Sequence, residues 1–205
     1  SSDDIHVFVK KKQSIKLKTT NDTNYYRDLS QFPEVTEAMN SIKNNIDKYG
    51  AKSASIYKQI TIIEKAIDET PSPSPDSLVD SILYQLLETI SKTIDPDTKS
   101  LSLKILNFLS LSNNPKLFDP NIIQLIISII SKSQFGLATN PKNSTKNVIY
   151  SYAFLDNLLK FPQYQEQLFH LLLESGILSH LKLKSFSLNE TRIVFKFLHH
   201  FLHLA

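Results

Sequence analysis

Three histidines near the end of this 205-residue chain, His199, His200 and His203, have the types and spacing that could bind a metal. His199 and His203 stand four apart and would share one face of a helix, which is half of a zinc site. The other half is missing. No carboxylate lies between them, the chain has no cysteine, and Phe197, Leu198, Phe201 and Leu202 surround them. They read as residues of a packed helix, with no metal. Nucleophilic and phosphate chemistry lack a signature too: Gly50, Gly136 and Gly176 make no phosphate loop, and no serine sits in a nucleophile elbow. Without cysteine, disulfide frameworks, thiolate zinc sites and cysteine nucleophiles are excluded. The chain is read as non-enzymatic, with no cofactor.

Two basic groups suggest binding instead. Lys10, Lys11, Lys12, Lys16 and Lys18, interleaved with Ile15 and Leu17, could contact RNA or an anionic membrane surface. Only Phe8 adds an aromatic there, so a solvated basic arm is the competing reading. The formal net charge of +3 is far from the excess that marks many nucleic-acid binders. The second group, on later helices, is taken up below.

Helices must position whatever this chain uses. Three glycines against 12 phenylalanines and 8 tyrosines leave few tight turns, and 41% apolar residues supply a globular core. The longest apolar run, Ile122 to Ile130, is broken by Gln124 and Ser128 and is too short to span a bilayer. The cytoplasm or nucleus is the expected location.

Residues 1–32 form an extended or flexible arm, in which Ile5, Val7 and Val9 alternate with other residues and Ile15 and Leu17 resume the alternation. Residues 33–70 form a long helix or helical hairpin. Val35, Met39, Ile42, Ile46, Tyr49, Ile56, Ile60, Ile63 and Ile67 make its seam, Pro33 starts it and Gly50 is its break. Residues 71–75 are a Pro/Ser linker, which could also be a phosphorylation segment together with Thr70. Residues 76–205 carry helices expected to start at Asp76, Asp97, Asp119-Pro120, Ser144, Pro162 and Asn189. The helix after Asp119 is apolar nearly all round, so Ile126 or Ile127 must lie at the centre of the stack.

These helices repeat. Ile105-Leu106-Asn107-Phe108-Leu109, Phe154-Leu155-Asp156-Asn157-Leu158 and Phe197-Leu198-His199-His200-Phe201 place Phe108, Asn157 and His200 in equivalent positions, 49 and 43 residues apart. A period in the forties filled by helices means a hairpin or triplet per repeat, each burying its apolar face on its neighbours. Here the chain resembles the armadillo (ARM/HEAT-type) helical repeat family, best over 145–205 and more loosely over 76–144. That family typically closes its third helix with apolar-Leu-x-Asn-Leu, as in Phe154 to Leu158. An acidic residue, a glycine and apolar-x-x-Leu follow, as in Glu174-Ser175-Gly176-Ile177-Leu178-Ser179-His180-Leu181. Leu188 to Arg192 sits where the next third helix begins. The chain departs from the pattern in Leu117-Phe118-Asp119, which lacks the glycine, and in Phe108 and His200, which hold the asparagine place.

The resemblance implies an all-α, right-handed superhelical stack whose third helices line a groove. In the family the asparagine hydrogen-bonds the backbone of an extended partner, and Asn157 is the residue that matches. A groove carrying Lys104, Lys160, Arg192, Lys196 and His200 beside Phe108 would favour an acidic or phosphorylated protein segment. The competing readings are solvated lysines and a capping asparagine. The expected function is an interaction scaffold or adaptor that binds a peptide or folded partner. A nucleic-acid or membrane binder using Lys10–Lys18, and a formin-type GTPase-binding regulatory domain, are the alternatives. The last helix, Arg192 to Ala205, carries more apolar surface than one neighbour covers. Truncation of the stack at its C-terminal end, or self-association around Phe201, is therefore expected.

Overall fold

A computed structural model of the chain describes residues 5–9, 27–134, 141–182 and 186–204. The lysine-rich stretch from Lys10 to Lys18 lies outside these residues. Among them the chain is mostly helical, with α1 Pro33–Tyr49, α2 Ser55–Glu69, α3 Asp76–Lys92, α4 Pro96–Leu109, α5 Pro120–Gln134, α6 Pro141–Leu159, α7 Gln165–Glu174 and α8 Leu188–Leu202. A minimal parallel pair, β1 (Arg27–Asp28) with β2 (Pro73–Ser74), ties the chain before α1 to the proline-rich connection between α2 and α3.

Local chemistry sets most helix ends. Pro33, Pro96, Pro120 and Pro141 each open a helix, where the missing N–H costs nothing. Asp95, not Asp97, caps α4: its carboxylate accepts from the Thr98 amide at 3.0 Å, while Asp97 takes a bond from Asn143 at 3.2 Å. The fourth repeat-region helix starts three residues before Ser144, at the favourable proline. Ser187 starts α8 through a capping box with Glu190, displacing Asn189 from that role. Pro162 begins a short 3-10 turn that leads into α7.

Gly50 ends α1 at φ +77° and ψ 172°, a region that is essentially glycine's alone. A Cβ there would meet nothing within 4 Å, so backbone strain is the whole cost of adding one. Gly50→Ala should therefore lose about 1–2 kcal/mol in urea denaturation. No measurable loss would mean that the α1–α2 connection relaxes freely.

Consecutive helices pair as hairpins: α1 packs on α2, α3 on α4, α5 on α6, and α7 contacts α6. Across the hairpins, α2 packs on α4, α4 on α6 and α6 on α8, which makes one continuous row, and α1 packs on α3 behind it. The buried seam of α1 and α2 (Val35, Met39, Ile42, Ile56, Ile60, Ile63, Ile67) faces this packing, whereas Tyr49 is exposed. Ile126 is fully buried and Ile127 nearly so, as expected for the apolar α5. Phe201 is buried rather than open. It stacks on Phe169 and Phe197 with centroids 5.0 and 5.8 Å apart, and the exposed apolar residues of α8 are Leu188, Phe195 and Leu202.

Candidate functional site

Buried polar residues stitch α4 to α6. The Ser100 hydroxyl donates to Asn147 Oδ1 at 2.7 Å, and Asn157 Nδ2 donates to Ser110 Oγ at 2.9 Å. These partners and Asp97–Asn143 are separated by 46 or 47 residues, so each polar contact joins two helices distant in sequence. These buried amides and hydroxyls are tolerated because they find partners, whereas Asn107 Nδ2 and Ser151 Oγ, on the same two helices, are buried without one among the described residues.

At one end of the seam the partner is the chain's own first described segment. Asn107 on α4 and Asn157 on α6 are both buried. Asn107 Oδ1 accepts from the Phe8 amide at 3.0 Å, and Asn157 Nδ2 donates to the Phe8 carbonyl at 3.1 Å. In extended backbone the N–H and C=O of one residue point the same way, so two side-chain amides can grip both at once. That grip reads main chain, not side chain. Each such bond contributes about 0.5–1.5 kcal/mol net. The Phe8 ring packs edge-on against Phe108, centroids 5.2 Å apart.

Residues 5–9 thus lie across the row of helices, with alternate side chains on opposite flanks. Ile5, Val7 and Val9 border a cavity of about 360 Å³, completed by Ile149 of α6 and Asn189, Arg192, Ile193 and Lys196 of α8. His6 and Phe8, with Val9 again, border a larger one of about 760 Å³, whose other walls include Phe108, Asp68, Asp76 and the Thr70–Pro75 connection. None of the five residues is fully buried, and Val9 is 40% exposed.

The residues expected at the groove fall into three places. Phe108 and Asn157 form its floor, and Arg192 and Lys196 stand on its α8 wall. Lys104 is drawn away into ion pairs with Glu64 at 3.0 Å and Asp68 at 3.1 Å, both on α2. Lys160 and His200 converge on the buried Asp156, with Lys160 Nζ at 3.6 Å and His200 Nδ1 in hydrogen-bond contact. Burial pulls the Lys160 pKa below the ordinary lysine value and Lys196 adds to this, while Asp156 opposes both. His203 turns its Nδ1 towards the His199 carbonyl at 2.7 Å and the two rings lie 4.3 Å apart, so His199 and His203 do share one place on α8, while His200 turns to Asp156.

Asn107 escaped the sequence reading. The repeat alignment put Phe108 in the asparagine place, one residue too late. The signal was present, because Asn107 and Asn157 are 50 apart, close to the 49 used for Phe108. No family model, curated protein or solved structure matches this chain.

Proposed function

We propose that this protein is a non-enzymatic interaction module, stacked in the armadillo or HEAT manner, that holds an extended segment of a partner protein across α4, α6 and α8. The reading rests on one observation: Asn107 and Asn157 take the N–H and C=O of the same extended residue, Phe8. A pair of amides that binds main chain accepts many sequences, and flanking pockets then supply preference, as in recognition by strand addition. The cavities beside residues 5–9 provide such pockets. A scaffold or adaptor in the cytoplasm or nucleus suits a site with this chemistry.

Selection of random dodecapeptides displayed on phage, using the full chain as bait, tests the reading. Enriched peptides should lose about tenfold or more in affinity on Asn157→Ala, because one partner of a buried bond is removed. Their binding should fall only shallowly with salt, whereas contact with nucleic-acid phosphates would give a steep slope. Peptides that bind Asn107→Ala and Asn157→Ala as well as wild type would end this reading.

A further inference from the structure

The occupied groove also carries information about what replaces the occupant. Building on the peptide-binding reading, we infer that residues 5–9 are a built-in competitor, and that the partner is an extended acidic segment with an aromatic residue in the Phe8 place and carboxylates in the Ile5 and Val7 places.

Three observations carry this. First, the arm lies on the surface of the helices: among the described residues two neutral hydrogen bonds and one aromatic edge contact anchor it, Ile5, Val7 and Phe8 pack on the core only partly buried, and all five residues keep some exposure. Such a segment can leave without unpacking the helices, whose core lies behind it. Secondly, the floor recognises features that any extended peptide with an aromatic residue can supply, namely one N–H, one C=O and a ring for Phe108. Thirdly, the α8 wall does not match the arm it faces. Ile5 and Val7 look across a cavity of about 360 Å³ towards Arg192 and Lys196, and among the described residues neither cation has an ion pair. On the opposite flank Asp68 is neutralised by Lys104, and Asp76 accepts from Ser112 at 2.6 Å. Carboxylates directed at α8 would therefore find guanidinium and ammonium partners with room to form charged hydrogen bonds. The valine and isoleucine of the arm give those cations nothing. An acidic partner therefore wins the competition on charge, while the arm excludes neutral segments that offer only backbone and an aromatic ring.

Two fluorescein-labelled dodecapeptides test this by anisotropy. One has the sequence of residues 1–12, and the other differs only by Ile5→Glu and Val7→Glu. The protein is the full chain, as wild type and as Phe8→Ala, which loosens the arm. Freeing the groove should tighten binding of both peptides by about tenfold, since a site closed most of the time loses affinity in proportion. The glutamate peptide should bind Phe8→Ala about tenfold more tightly than the arm peptide, and adding Arg192→Glu with Lys196→Glu should reverse that order. A second measurement leaves Phe8 in place and decides the matter if Phe8→Ala proves unfolded by circular dichroism. Because the chain has no cysteine, His6→Cys takes a single nitroxide, whose spectrum should sharpen as the glutamate peptide displaces the arm. Equal affinity for the two peptides would overturn the acidic partner and leave the peptide groove standing. Binding with an unchanged nitroxide spectrum would overturn the competition. Failure of both peptides to bind either chain would bring down the groove itself.

Discussion

Ile126→Ala should lower the stability of the protein by about 2–5 kcal/mol, measured by urea denaturation followed by circular dichroism. Ile126 has no exposed surface and sits on α5, the most uniformly apolar helix, which packs on α6. The alanine side chain loses the transfer free energy of three carbons and leaves a void that rigid neighbours cannot close. Ile127 is slightly more accessible, at 8%, so Ile127→Ala should cost less. The order of the two is the sharper test. Equal losses, or a loss below about 0.5 kcal/mol at Ile126, would mean that α5 is turned differently from the structure described.

The helical character was legible because it rests on local signals. Pro33, Gly50 and Pro120 each fix a backbone group or a dihedral on their own and mark real boundaries, whereas α3 begins at Asp76 with Pro75 in the cap position and the Asp76 carboxylate bonded to Ser112. The caps expected at Asp97 and Asn189 are Asp95 and Ser187 instead, because capping depends on side-chain geometry that spacing does not contain. The described helices pair as hairpins, and polar partners 46 and 47 residues apart join α4 to α6.

The occupied groove was not legible. Phe8 and Asn157 are 149 residues apart, and no local pattern reports a contact of that range. The alternation of Ile5, Val7 and Val9 identified an extended segment but not where it lies. The basic groove was overcounted for a related reason. Lys104 looks free on its own helix, but its partners Glu64 and Asp68 stand one hairpin back, in a region with no visible repeat resemblance. Lys160 and His200 were assigned outward, yet a buried carboxylate in their own layer holds both.

That carboxylate gives the second large effect. Asp156 is 2% exposed, and its oxygens face Lys160 and His200. Asp156→Ala should cost about 3 kcal/mol, because a partly buried ammonium loses its counter-charge and a polar cavity opens beside it. Asp156→Asn, which keeps the volume and can still bond a neutral imidazole, should cost less. The pH dependence identifies the cause. Lys160 already has a pKa below that of an unfolded lysine, through burial first and Lys196 as well. Removing Asp156 removes the contact that opposes this and lowers it further. A lysine whose folded pKa is depressed binds fewer protons folded than unfolded, so stability rises with pH through that window. The deficit of Asp156→Ala should therefore be full near neutral pH and shrink as pH climbs towards about 10.4, where an unfolded lysine titrates. In Lys160→Met the same Asp156→Ala change should lose most of this pH dependence. A deficit that stays constant across the alkaline range would assign the loss to packing and not to the stranded charge.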